Sequence, residues 1–172
     1  MVYSIGQNFA PDVLCQIFTF CRADLQEPYE STDFHQAPRN VSQVCRLWRN
    51  TCINTASLWA VLSFNFTGLL DIERRTSAVE LHLQRSAAVK LDINVILSVQ
   101  TWSQDLRRAF GEIMTKLIEH RRRWRFVSFK DSLSSFPGPQ SELHISDLPA
   151  LEKLIVEGPF IFCSSLSTDV RT

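Results

Sequence analysis

Val89-Lys90-Leu91-Asp92-Ile93-Asn94-Val95-Ile96-Leu97 is the stretch on which the fold reading turns. Val89, Leu91, Ile93, Val95 and Leu97 point one way and Lys90, Asp92 and Asn94 the other, the two-residue period of a half-buried β-strand. The next segment changes period. Leu106, Ala109, Phe110, Ile113, Met114, Leu117 and Ile118 recur at three-and-four spacing, which predicts an amphipathic helix with Ser103 as its N-cap and His120 to Arg123 at its end.

Outward from this pair the alternation continues. Leu62, Phe64 and Phe66, interleaved with Ser63 and Asn65, predict an earlier strand. A helix is expected from about Leu70 to Arg85, its stripe blurred by Leu81 and Leu83. Downstream, Phe126 to Lys130 reads as a short strand and Ser132 to Ser141, with Pro137-Gly138-Pro139, as a loop. Leu143 to Ile145 and Leu154 to Val156 suggest two more strands around a turn at Leu148 to Leu151, and Gly158-Pro159 breaks the last. Strands separated by helices pair most readily as a parallel sheet, so the expected class is mixed α/β. Strand starts about 30 residues apart lie on the scale of repeat architectures, although no repeat is crisp enough to stand alone.

The N-terminal part reads differently. Val13, Leu14, Ile17, Phe18 and Cys21 form a helical stripe from Pro11 onward, with Pro11 suited to the first turn and Asp12 to the dipole. Ala10 is a poor N-cap, weaker than Ser or Asp by about 1 kcal/mol, so packing must hold this start. Residues 22–40 lose all periodicity and carry Pro28 and Pro38 among acidic and polar residues, a long loop. A second stripe then follows at Val41, Val44, Cys45, Trp48 and Cys52.

Composition removes several classes. The 172 residues suffice for one ordinary domain, or a small docking element joined to a modest second unit. Lys and Arg total 18 against 18 Asp and Glu, so no overall field favours nucleic acid or an anionic membrane. Five cysteines at 15, 21, 45, 52 and 163 form no C-x-x-C pair and read as reduced, apolar residues. No signal peptide or spanning run is present, so the expected setting is intracellular, where the sequons at Asn40 and Asn65 stay unmodified. The four histidines are scattered, and no zinc motif, nucleophile elbow or phosphate loop occurs; the expectation is a non-enzyme without metal or cofactor. His120-Arg121-Arg122-Arg123-Trp124-Arg125 is the one basic, aromatic run, and a helix end followed by a packed Trp accounts for it better than nucleic-acid binding.

Phe9-Ala10-Pro11-Asp12-Val13-Leu14-Cys15-Gln16-Ile17-Phe18 resembles the opening of an F-box, with Ala10 where the family carries proline and Phe9 for leucine. Val41-Ser42-Gln43-Val44-Cys45-Arg46-Leu47-Trp48-Arg49 is similar to its Val-Cys-Arg-x-Trp-Arg signature, and Ser57-Leu58-Trp59 to the Leu-Trp that closes it. Val79 to Ser86, Glu119 to Arg125 and Leu148 to Leu154 resemble the repeat blocks of fungal F-box proteins with degenerate leucine-rich repeats. The implied organisation is an F-box-like helical domain over 6–60, with its internal loop at 22–40, and a leucine-rich-repeat-like region of parallel sheet and helices over 61–172.

The resemblance implies docking on a Skp-type adaptor and, through it, a cullin scaffold, with Phe9, Pro11, Leu14, Ile17, Phe18, Val44, Cys45 and Trp48 as adaptor-binding residues. Plain core packing competes for the same side chains, each worth about 1.5–3 kcal/mol when buried. An unidentified protein substrate would then fall to the polar strand faces, including Ser63, Asn65, Lys90, Asp92, Asn94, Ser128 and Lys130, for which a solvated sheet face is the competing account. Nucleic acid and membrane are not expected partners. Outside a ligase, the same helices would merely cap a solenoid used for protein interaction. Phe160-Ile161-Phe162-Cys163 leaves an apolar edge, expected either to be where a truncated sheet would continue or to be covered by a partner.

Overall fold

The structure is a computed structural model and describes residues 9–23, 38–66, 72–99, 101–131 and 147–157. The central part of the expected 22–40 loop, the Ser132–Ser141 loop, the strand at Leu143–Ile145 and the Phe160–Cys163 edge lie outside the described residues. In chain order the elements are α1 (Pro11–Ala23), a 3-10 turn (Val41–Gln43), α2 (Arg46–Asn54), a second turn (Ala56–Trp59) and β1 (Val61–Phe66). There follow α3 (Ile72–Arg85), β2 (Leu91–Leu97), α4 (Gln104–Glu119), a turn (Arg121–Arg123), β3 (Trp124–Asp131) and β4 (Lys153–Glu157).

The four strands form one parallel sheet in the order β1-β2-β3-β4. Right-handed crossovers between strands laid down in sequential order put every intervening helix on the same face, and α3 and α4 do pack against one another there. Val61 faces Asp92, Asp92 faces Phe126 and Phe126 faces Lys153, so successive units advance by 31, 34 and 27 residues. The helix-side core joins Leu62, Phe64 and Phe66 of β1, Leu91, Ile93, Val95 and Leu97 of β2, Val127 and Phe129 of β3, and the buried stripes of α3 and α4. Val89, assigned to the strand by alternation, lies before β2 and is 37% exposed, because the turn that ends α3 runs through Ala87 in the left-handed region at φ 48° before β2 begins. Ser103 caps α4 as expected, accepting the Leu106 N–H at 3.2 Å.

Two strand entries, those of β1 and β3, share a sequence pattern that becomes visible in register. Trp59-Ala60-Val61-Leu62-Ser63-Phe64 matches Trp124-Arg125-Phe126-Val127-Ser128-Phe129 at four of six positions by identity or near identity. In the sheet Leu62, Ile93 and Val127 stand side by side, as do Ser63, Asn94 and Ser128, and Phe64, Val95 and Phe129. Each Trp does the same work. The Trp59 indole N–H donates to the Cys52 carbonyl at 2.8 Å and the Trp124 indole to the Leu117 carbonyl at 3.1 Å, seven residues back in both cases. Both carbonyls belong to the last turn of a helix and already accept one backbone N–H, from Thr55 at 3.3 Å and from His120 at 3.0 Å, so one buried side chain fills the core and supplies a second donor. In β3 the extra residue that lets Trp124 and Val127 both face the helices is Arg125, at the register shift between Leu91 and Asp92.

The N-terminal helices have their own core of Leu14, Phe18, Val41, Cys52, Leu58 and Trp59, with Ile17, Leu47, Trp48 and Leu81 packed against it. Leu81 belongs to α3, so that helix buries two faces, Val79 and Leu83 toward the sheet and Leu81 toward the N-terminal module. This is the origin of its blurred stripe. The expected continuous helix from Val41 is instead broken. Asn40 accepts the Val41 N–H at 2.6 Å, Ser42 donates its hydroxyl to the Arg39 carbonyl at 2.6 Å, and Cys45 is extended at φ −155° as the N-cap of α2. Such local side-chain bonds compete with the helical ladder and stop it.

Replacing Trp124 with Phe is expected to remove about 1 kcal/mol of stability by taking away the side-chain donor to the Leu117 carbonyl, which keeps only the His120 N–H. Urea unfolding would read this as a lower midpoint with an unchanged slope, and Trp59→Phe should lose at least as much.

Candidate partner-binding surfaces

The eight residues assigned to adaptor docking separate into two groups. Leu14 and Phe18 are fully buried in the module's own core, so they hold the helices together and cannot meet a partner. The physical reason is that α1 packs against α2 and the second turn, and the Leu14/Phe18 stripe is the face it uses. Trp48 and Ile17 are half-buried; Trp48 meets Phe18 edge-on at 5.1 Å between ring centroids. Cys45 is half-buried at the N-cap of α2, and Pro11 is exposed. Phe9 is 39% exposed and Val44 60%. Val44 is uncovered because the helix breaks there, which turns a residue of the expected inner stripe outward.

Residues outside that assignment join the outer surface. Val13 is 39% exposed and Phe20 70%, and with Ile17 they follow the 13-17-20 spacing of a second stripe beside the buried one. Of the seven large apolar side chains left exposed among the described residues, five (Phe9, Val13, Phe20, Val44 and Ile53) lie in the helical module. Singly exposed apolar residues need no explanation, but this concentration on one small module marks it as the contact-prone part. The spacing of Phe20 from Val13 was the signal by which it could have been found.

The second sheet face, away from α3 and α4, carries the residues assigned to substrate. The structure ties most of them to neighbouring strands. Asp92 receives a bidentate pair from Arg125 at 2.8 and 2.5 Å, which holds the Arg125 guanidinium above its ordinary pKa. Asn94 donates to the Ser63 hydroxyl at 3.2 Å. Lys130 pairs with Glu157 at 3.3 Å, and Lys90, just before β2, with Glu152 at 2.9 Å. The Asn65 carbonyl accepts from Arg75 at 2.8 Å. Apart from the Arg75 bond, which joins α3 to the Asn65 backbone carbonyl, these contacts act as rungs between neighbouring strands or their ends, and surface pairs of this kind contribute little stability singly. They leave a shallow depression of about 270 Å³ over Val61, Asn94, Phe126, Ser128, Lys153 and Ile155.

The basic run is spent on the fold. Arg123 donates to the Val89 carbonyl at 2.9 Å and the Ser86 hydroxyl at 2.6 Å, Arg121 approaches Asp147 at 3.7 Å, and Arg125 holds Asp92. Only Arg122 of these arginines is exposed. Among the described residues no group of three or more His, Cys, Asp or Glu could hold a metal ion, and no helix is long and apolar enough to cross a membrane. No protein-family model, no curated protein and no solved structure matches the chain.

Inside the module, Cys52 is fully buried and donates its thiol to the Pro38 carbonyl at 3.2 Å. Burial pushes this thiol from 9.0 up to about 11, against a smaller downward pull from the Arg85 charge and with a further push from Cys15. A folded-state pKa above the unfolded one means that the stability it contributes is complete below pH 9 and is lost as pH rises toward 11. Wild-type stability is therefore expected to fall more steeply over that interval than that of Cys52→Ala, measured by urea unfolding at stepped pH.

Proposed function

We propose that the chain is a substrate-recruiting subunit of a Skp/cullin-type ubiquitin ligase. Its helical module would dock the Skp-type adaptor and its repeat-like sheet would select the protein substrate. The observation that carries the reading is the division of labour within the module. One stripe of α1 is consumed by the module's own core, while Phe9, Val13, Phe20 and Val44 remain outside, beside the stretches that resemble an F-box. A partner groove that takes such anchors and buries about 1,000 Å² or more would form a stable contact.

On this reading the chain performs no bond chemistry. It raises the effective concentration of a substrate lysine near a charged conjugating enzyme by tethering both to one scaffold. Docking residues are then Phe9, Pro11, Ile17, Val44, Cys45 and Trp48, joined by Val13 and Phe20, while Leu14 and Phe18 act through the packing beneath them.

A second reading has its own support. The Trp59 ring meets His82 of α3 at 5.0 Å and Leu81 packs into the module core, so the helices also close the end of the sheet, the task of a terminal cap in a solenoid. Capping uses the inner surface and docking the outer, and adaptor binding decides between a cap alone and a cap that docks. Calorimetry with a purified Skp-type adaptor is expected to show saturable binding that weakens at least thirtyfold, about 2 kcal/mol, in Val44→Asp or Phe20→Asp with melting temperature unchanged. Absence of binding by the folded wild type leaves the cap reading standing.

A further inference from the structure

The junction between the two parts of the molecule holds a cleft of about 350 Å³, within the size range of ligand pockets. One wall is the 3-10 turn with Ser42 and Gln43; the other is α3, which presents Ser77, Leu81 and Arg85 at successive four-residue steps. Trp59 forms the floor. Among the described residues the lining contains two guanidinium groups, Arg39 and Arg85, and no carboxylate. Arg39 is only 6% exposed and has contacts of its own. Arg85 lies over the Trp59 ring at 4.4 Å and forms no ion pair with any described residue. A half-buried cation held on an aromatic floor, facing a cleft in which the described residues place no negative group, is suited to receive an anion.

The shape of the wall limits the kind of anion. The exposed lining is predominantly apolar, with half-buried Leu81 above the buried Ala78 and Trp59, so a bare oxyanion would leave most of the cleft wet. Ser77 to Arg85 spans eight residues of helix, about 12 Å at 1.5 Å per residue, the length of three or four residues of extended chain. Leu81 and Arg85 are about 6 Å apart along the axis at that rise, close to the same-face spacing of residues two apart in an extended strand.

We infer that this cleft binds an extended peptide segment of a partner protein with an acidic residue two positions from an apolar one, the carboxylate meeting Arg85 and the apolar side chain covering Leu81. This goes beyond the ligase reading and does not depend on it. Because the cleft joins the N-terminal module to α3, its occupant would also bridge the two cores.

The two tryptophans supply the test. Both indole N–H groups donate to helix-end carbonyls in matching settings, but only Trp59 lines the cleft, so Trp124 is an internal control. The full chain, labelled with nitrogen-15, is titrated with acetyl-Glu-Ser-Leu-Ser-amide and with the same peptide carrying Gln for Glu. The Trp59 indole resonance is expected to shift saturably with the Glu peptide while Trp124 stays in place, and the Gln peptide should bind at least tenfold more weakly. Arg85→Gln should erase the preference for Glu and Arg85→Lys retain it. Ser77→Asp, an exposed helix position that need not disturb the core, should weaken the Glu peptide at least tenfold. Equal binding of the two peptides, no selective shift at Trp59, or saturation by inorganic phosphate at lower concentration than by the Glu peptide overturns the inference.

Discussion

Trp59 is the side chain on which the two halves of the molecule depend. Its ring completes the core of the N-terminal helices, its N–H adds a second donor to the Cys52 carbonyl at the end of α2, and its faces and edges meet Arg85 and His82 of α3. A large aromatic ring can take part in all of these at once because it is apolar over most of its area, carries one directional donor, and presents a negative face to a cation. Remove it and the module loses core volume, a helix end loses a donor, and the contact to the sheet layer is cut together. The same device recurs at Trp124, which joins the end of α4 to the start of β3.

That recurrence explains why the sheet is built in one direction. Each unit returns through a helix on one face, and in the first and third units the next strand is entered past a Trp that closes the end of a preceding helix. The helix-side core is then continuous from Leu62 to Phe129. The other face has no such layer among the described helices, and its polar residues are used to tie strand to strand: Ser63 to Asn94, Asp92 to Arg125, Lys130 to Glu157. What these pairs leave uncovered on this face is the depression lined by Phe126, Ser128 and Lys153.

Much of this was legible along the chain. The period of two at Leu91–Leu97 and the three-and-four period at Leu106–Ile118 named their elements and their buried faces, because alternation and helical pitch act on neighbouring residues. Strands separated by helices implied the parallel sheet. The apolar stripe continues through Val44 while two local side-chain hydrogen bonds, at Asn40 and Ser42, and the extended backbone of Cys45 end the helix; pattern reads apolar spacing and is blind to such competition. Leu14 and Phe18 illustrate a second limit. A motif names the residues that matter, but whether a side chain matters by packing inward or by reaching outward depends on what its helix meets.

By itself, then, the sequence determined the elements, their order and the mixed α/β class, since these follow from periodicity over a handful of adjacent residues and from the need to bury one face of each. Only the tertiary structure decided which stripe of α1 is core and which is surface, that Leu81 serves a different core from Leu83, that the arginines after α4 are engaged by the fold, and that Arg85 faces a cleft. Those are relations between residues 30 to 60 apart in the chain, such as Arg85 with Arg39 and Asp92 with Arg125, and no local rule of spacing encodes them.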